Sequence, residues 1–508
     1  MKFLPSSLDN SNLMILNTYY NPGTPDNVTP DDVLDIIYKD MDTGRKYVET
    51  IRNPKIEIYI VKPEYRTFKY MRNFNPLEEC TKYTMPYKSR FKHIGDILGC
   101  TPQEAKYSPY VSQSDMEIEH FYLMQFLKEY DNDLPKKLSL GFFDIESDII
   151  NFIEFAEPGE APQNVISYYD ENTKTMYTLV CVQDNVPVVD PIHKKYEYYE
   201  TLRRKFKEQT TDFINRLDDF VKECNDTFDE NYGHIEYNVL VFEDEASMLQ
   251  AFWTIVHHCD NDFMLAWNAP YDVSNLIERP KVIGLDPNKM IPAIDFVPDR
   301  EVYWKEDNNA NVHKRKHIFR TYTHGTIQDQ MVNYAGIRAG RGKLPSTKLN
   351  YIAKRELNDE KLDYSEYGNI RMFPYQDFWR FVTYNIKDVL LQVGIERKTR
   401  DMDSIYTTIY LDCVRPSEVF TSTVVIANSL RYFALYEQGH AMGSNSNKLF
   451  KVQKTKEQQE EDKKDKFAGA FVMNPAHCTS TGFKLLGQLN KYIHDHSVDM
   501  DITSEFYE

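Results

Sequence analysis

The chain has 508 residues, of which 41% are hydrophobic, 14% aromatic and 27% charged, with a net charge of −18 at neutral pH. That length exceeds one ordinary core and divides into about three compact units, and the composition excludes the disordered and fibrous classes. The acidic balance argues against a protein that coats nucleic acid nonspecifically, because phosphate neutralisation needs surface Lys and Arg, yet it is compatible with a basic channel or with carboxylates that hold cations.

The first residues, MKFLPSSLDNSNLM, carry no apolar run long enough for a signal sequence, and no stretch approaches 18 uninterrupted apolar residues, so a cytoplasmic protein without a membrane span is expected. Residues 1–135 mix β-rich runs such as 56–61 (IEIYIV) with Pro and Asn turns and an amphipathic stretch at 115–130, and read as a mixed α/β domain. Within it, aromatic residues at 59–74 interleave with Lys62, Arg66, Lys69 and Arg72, which suits either stacking against single-stranded nucleic acid or a core with a basic rim. A new unit opens with a buried strand at 138–145 (LSLGFFDI), followed by strands at 165–169 and 176–182 around the turn DENTKT. One helix is expected over 198–228, then strand 238–242, helix 243–258, strand 263–267 and helix 272–278. A meander followed by βαβα predicts an α/β unit with a mixed sheet and helices on its faces.

Residues 301–304 and 317–322 flank the polar KEDNNANVHKRK and predict a long hairpin. Arg338, Arg341 and Lys343 form a basic, Gly-bearing loop that is either solvated or in contact with phosphates. Helices follow at 349–356 and 376–397, with a helical region over about 398–438. Residues 451–466 (KVQKTKEQQEEDKKDK) read as a charged linker, and 467–508 return to strand-like patterning. The seven cysteines are scattered and never spaced CxxC, which argues against structural zinc or a disulfide framework. His257 and His258 are adjacent on a helix and so point about 100° apart, a poor metal pair.

Three pieces carry chemistry. Asp144 and Glu146 end the strand LGFFDIE, where alternation puts both on one face, and two acids at the end of a buried strand are costly unless cations or solvent compensate. Asn268 and Asp272 lie where strand FMLAW turns into a helix; Asp272 there is either a helix cap or a ligand. Tyr384 and Asp388, four residues apart in FWRFVTYNIKDVLLQVGIE, share a helical face, as a half-buried Tyr over a solvated Asp or as a pair around a common water.

In that order, acid-x-acid, Asn-x-x-x-Asp and Tyr-x-x-x-Asp resemble the DEDDy exonucleases and the proofreading domain of family B DNA polymerases, with the T-even-type phage enzymes nearest in look. The likeness extends through KLNYIAKRELNDEKLDY, YNIKDVLLQVGIE, VRPSEVFTSTVVIANSLRY and FAGAFVMNP, over roughly residues 100–508. It implies an RNase H-like 3′-5′ exonuclease domain at 136–397 after the N-terminal domain at 1–135, then a helical connection at 398–450, the linker at 451–466 and the first strands of a polymerase palm at 467–508. It also implies two Mg²⁺ ions, with Mn²⁺ as a substitute, that activate water and neutralise the leaving oxygen. Asp144 would bridge the ions, Asp388 would complete the water-side site and Asp272 would act on the leaving side. Glu146 and Tyr384 would position the attacking water. Asn268 would bind the terminal nucleotide or serve the turn; in many phage relatives one more residue separates this Asn from its Asp. The absence of His at the slot of Tyr384 excludes the DEDDh subclass.

The run 497–507 (SVDMDITSEFY) resembles palm motif A, D-x-x-S-L-Y-P, with Asp501 as a metal-binding residue and Phe506 or Tyr507 as the sugar-gating aromatic, depending on register. No motif B or C follows it. The expectation is therefore the proofreading part of a viral replicative polymerase, split, so that synthesis requires a C-terminal partner chain, or else truncated, acting on primer-template DNA and its single-stranded 3′ end, with a sliding clamp as a further partner. A free-standing exonuclease, and a DNA-binding scaffold with a vestigial site, are the alternatives.

Overall fold

Contiguous buried runs near the start of the chain give β1 (Leu13–Asn21) and β2 (Val33–Asp40), which with β3 (Lys46–Arg52) form an antiparallel sheet in the computed structural model. The structure describes residues 13–23, 31–66, 74–130, 138–152, 156–186, 196–294, 296, 300–342 and 344–444. Contacts divide the chain into 1–444 and 445–508, and the second unit lies outside the described residues. The expected linker and palm strands, with Asp501, Phe506 and Tyr507, fall there.

Next come β4 (Lys55–Val61), β5 (Phe74–Pro76), β6 (Cys80–Pro86), α1 (Arg90–Leu98), α2 (Pro102–Lys106), β7 (Val111–Ser112) and α3 (Ile118–Tyr130), with β4 between β6 and β7. Helix α2 starts on a reciprocal capping pair, Thr101 with Glu104. The strands β8 (Leu140–Ser147), β9 (Gln163–Asp170) and β10 (Thr175–Cys181) then form the expected meander.

The single helix expected over 198–228 is two, α4 (Tyr196–Asn215) and α5 (Leu217–Tyr232). Seven residues along a continuous helix would hold Phe213 and Phe220 about 10 Å apart. A break at Arg216 (φ −123°) lets these two buried rings meet edge-on at 5.0 Å, while the Arg216 guanidinium bridges Asp212 and Asp219 across the break.

The chain continues through β11 (Glu236–Phe242), α6 (Glu245–Cys259), β12 (Phe263–Ala266), α7 (Ala269–Val282), α8 (Pro287–Met290), the antiparallel pair β13 (Tyr303–Lys305) and β14 (Ile318–Arg320), and β15 (Thr326–Asp329). Helices α9 (Gln330–Ile337), α10 (Leu349–Leu357), α11 (Phe373–Gln376), α12 (Phe378–Thr399), α13 (Asp401–Leu411) and α14 (Ser422–Tyr432) follow, and β16 (His440–Met442) pairs back onto β5.

The central sheet has the order β11-β10-β9-β8-β12-β15. Strands β8, β9 and β10 run antiparallel in turn, whereas β12 and β15 run parallel to β8, and β11 parallel to β10. The chain is thus an α/β protein with a mixed sheet. On one face Phe142, Val165 and Tyr169 pack under Val382, Ile386 and Val389 of α12. On the other, Phe143, Ile145 and Tyr168 pack under Phe252 of α6 and Val273 and Ile277 of α7. The first cluster also takes in Leu13, Leu16 and Ile36, so the apolar packing is continuous across residue 135. Buried ion pairs add to that seam: Arg300 to Asp35 at 2.8 Å and Lys39 to Asp262 at 2.7 Å. Among the described residues, no helix is long and apolar enough to cross a membrane.

Gly141 of β8 lets Tyr168 of β9 pass over the strand to reach Asn261, since a Cβ there would lie 2.1 Å from the Tyr168 hydroxyl oxygen. Gly141→Ala is therefore expected to lower unfolding free energy by about 1–3 kcal/mol in a denaturant titration, whereas Gly340→Ala, facing open space, is expected to leave the midpoint unchanged.

Candidate metal centre

Asp144 and Glu146 sit on the face of β8 that α12 crosses, while Phe143 and Ile145 between and beside them anchor the strand in the opposite layer. Helix α12 brings Tyr384 and Asp388 down onto that face. Carboxylate oxygens of Asp144, Glu146 and Asp388 lie within 4.8 Å of one another. Asp272, in the first turn of α7, reaches β8 from the other flank, its Oδ1 accepting the Ile145 N–H at 3.2 Å. It faces Asp144 and Glu146 but is not itself one of the three clustered acids.

Crowding acids out of water raises their pKa. Burial, reinforced by Asp388, pushes Asp144 up to about 8, with Lys361 and Asn385 opposing. Glu146 is held well above the usual carboxylate range by burial, then Asp144 and Asp388. Burial and then Asp144 raise Asp272 in the same way. Burial also raises Asp388, and Lys361 pulls it back.

Two residues that the sequence did not single out complete the cluster. Asn385 of α12, fully buried, donates from Nδ2 to Asp144 Oδ2 at 2.9 Å. Lys361, after α10, donates from Nζ to Asp388 Oδ2 at 2.6 Å and to the Tyr384 hydroxyl at 3.2 Å. Its segment is pinned by Lys387 of α12, which donates to Asp359 at 2.5 Å. Burial would lower the Lys361 pKa, but Asp388, Tyr384 and Asp144 outweigh it and keep the ammonium charged. Only the resemblance of its surrounding segment pointed near it; no spacing did.

Hard oxygen donors at this separation fit a divalent cation such as Mg²⁺ or Mn²⁺. Asp388 Oδ1 is buried without a hydrogen-bond partner, a further mark of a ligand oxygen awaiting a cation. The three clustered acids would hold it, with Asp272 alongside. A second grouping, Glu117, His120 and Glu418, does not fit: the Arg415 guanidinium holds both Glu418 oxygens and lies 2.7 Å from Glu117, and His120 Nε2 is bonded to Glu418 Oε2, so no buried ligand oxygen is left open there as at Asp388.

Asn268 precedes α7 in a left-handed conformation (φ 67°), its side chain exposed and making no cap bond. With Trp267, Lys348, Lys361, Tyr384 and Lys387 it lines a cleft of about 1240 Å³. Arg341 is exposed, while three of the other basic candidates are engaged elsewhere. Arg338 pairs with Asp401 at 2.7 Å and stacks on Tyr334, Lys62 donates to the Glu78 carbonyl and Arg66 to the Val61 carbonyl. His257 is largely buried and pushed below its usual pKa by that burial, a packing residue. Lys69, Arg72 and Lys343 lie outside the described residues.

Over 181 residues the chain is 24% identical to a protein described as DNA polymerase, from Choristoneura fumiferana nuclear polyhedrosis virus. It is similar to part of a viral DNA polymerase. The match covers 34% of this chain and 17% of that relative. No family model matches the chain.

Carboxyl groups raised on folding bind protons that the unfolded chain has released, so the metal-free protein loses stability as pH climbs from about 4 toward the value of about 8 at Asp144. A cation offsets that loss. The melting temperature is therefore expected to rise on adding Mg²⁺ or Mn²⁺, more at about pH 8.5 than at about pH 5.5, and Asp144→Asn to abolish the increment. An increment independent of pH would contradict the site.

Proposed function

We propose that this chain is the 3′-to-5′ proofreading exonuclease portion of a family B DNA polymerase, of RNase H-like fold, hydrolysing the terminal phosphodiester of a single-stranded 3′ end. The observation that carries the reading is the convergence of Asp144, Glu146 and Asp388 within 4.8 Å, beside the cleft that holds Asn268 and Tyr384. The mixed sheet, with three antiparallel strands followed by three (β11, β12 and β15) that run with the first, suits that fold, and the partial similarity to a viral DNA polymerase supports the enzyme class.

Mg²⁺ held by these acids would supply the Lewis acidity and water activation that phosphodiester hydrolysis needs. The protein's own groups do the positioning. Asn385 fixes one Asp144 oxygen and thereby aims the other, and the Ile145 amide does the same for Asp272. Tyr384 presents its hydroxyl toward Glu146 and Asp388, where it orients an incoming water. Lys361 neutralises Asp388 in the resting site and carries a donor for a phosphate oxygen when DNA enters. Asn268 on the cleft rim is placed to touch the last nucleotide.

The likeness of 497–507 to motif A extends the reading to a palm in which Asp501 binds metal and Phe506 or Tyr507 contacts the sugar. Further palm motifs on a partner chain, and a sliding clamp, belong to that extension.

With Mg²⁺, the protein is expected to shorten a labelled single-stranded DNA one nucleotide at a time from its 3′ end. Asp144→Ala and Asp388→Ala are expected to reduce the rate roughly a hundredfold or more, and Lys361→Ala roughly tenfold. A wild-type protein that leaves the oligonucleotide intact refutes the proposal.

A further inference from the structure

The Asn268 turn is held from behind by the hairpin. Asp329 ends β15 directly beside Ala266 of β12, two residues before Asn268. Its Oδ1 caps α9 through the Met331 amide at 2.9 Å and also accepts the Asn268 N–H at 3.2 Å. The left-handed conformation at position 268 thus depends on a side chain from the neighbouring strand.

The other oxygen of Asp329 looks the opposite way. Asp329 is 5% exposed and His317 8% exposed, and Oδ2 of one and Nε2 of the other are buried without a hydrogen-bond partner. They face each other at 3.5 Å. His317 stands at the root of β14, and its Nδ1 accepts the Asp307 N–H from the opposing arm of the hairpin at 3.1 Å. An imidazole that accepts at Nδ1 carries its hydrogen at Nε2, the nitrogen on the Asp329 side, just beyond a formed hydrogen bond. The hairpin's Val312 packs against the cluster containing Trp267 and Met331, so the two arms of the contact, polar and apolar, meet on either side of the same turn.

We propose that His317 and Asp329 are positioning residues that tie the β13–β14 hairpin to the Asn268 turn, so that the seating of the hairpin sets how the terminal nucleotide is gripped. This rests on the nuclease reading, in which Asn268 touches that nucleotide. Neither residue touches substrate: His317 acts through Asp329, and Asp329 through the Asn268 backbone.

The amide of Gln overlays the Nε2 side of an imidazole, whereas that of Asn overlays the Nδ1 side. His317→Gln therefore keeps the donor to Asp329, and His317→Asn keeps only the contact with Asp307. On a single-stranded oligonucleotide with Mg²⁺, His317→Asn and His317→Ala are expected to raise KM roughly three- to tenfold with kcat changed less than about twofold. His317→Gln is expected to remain at the wild-type KM. Asp329→Asn, which sets an NH₂ against either the imidazole or the amides, should match His317→Asn and serves if the His variants melt early. In an Asn268→Ala background, His317→Ala is expected to add no further KM increase. Equal increments in both backgrounds, or a Gln variant no better than Asn, overturn the proposal. Amide hydrogen exchange at residues 267–272 gives a readout independent of cleavage. Faster exchange in His317→Asn than in His317→Gln supports the link and equal exchange refutes it, even for a wild type that does not cut DNA.

Discussion

Keeping several carboxylates together at the end of a strand whose other residues are sealed in hydrocarbon is the constraint on which this structure turns. Like charges in a low-dielectric setting repel strongly, and desolvation penalises each one separately. The fold answers in two layers. Helix α12 lies over the acidic face of β8 and supplies both a further acid, Asp388, and the donor Asn385. The segment after α10 adds one cation, Lys361, which the Lys387 to Asp359 pair keeps in place. The arrangement is held together by charge compensation as much as by packing, and a compensating lysine is a group that an incoming cation competes with.

The N-terminal strands belong to the same problem. Asp262, just before β12, pairs with Lys39 and Lys46 from β2 and β3, and Asp35 of β2 takes the Arg300 guanidinium in a two-point contact. Buried pairs of this kind add little net stability compared with apolar packing, but losing one partner strands a charge. The pairs to Asp262 anchor the start of β12, the strand that leads into Asn268 and α7. The first hundred residues thus buttress the strand that presents one side of the site.

How much of this could be read from sequence depends on whether the controlling interaction is local. The alternation in LGFFDIE puts Asp144 and Glu146 on one face, and the four-residue step puts Tyr384 and Asp388 on another; both are short-range geometry, and the structure has both. Asp272 as a plain helix cap is a local reading that leaves out its longer reach: Asn268 holds the cap position, and the Asp272 carboxylate bonds to Ile145 on a distant strand. Asn385 and Lys361 act across more than 240 and 25 residues of chain, respectively, and neither sits in a pattern. The break between α4 and α5 comes from two rings seeking each other, which periodicity hides by making Phe213 and Phe220 look like neighbours on one helix. Continuity of the apolar core across residue 135 was likewise invisible to a reading that treats each run by itself.

The pairing of β16 with β5, with Ser114 and Ser444 hydrogen-bonded beside it, joins residues 330 to 368 positions apart. A ribosome adding roughly 5–20 residues per second needs roughly 15–70 s to make the intervening chain. For that interval the strand edge at Phe74–Pro76 has no partner in the nascent polypeptide. Vectorial synthesis therefore leaves this seam for last, and a nascent chain stalled before residue 440 would present an unpaired strand that chaperones or a second nascent copy can reach.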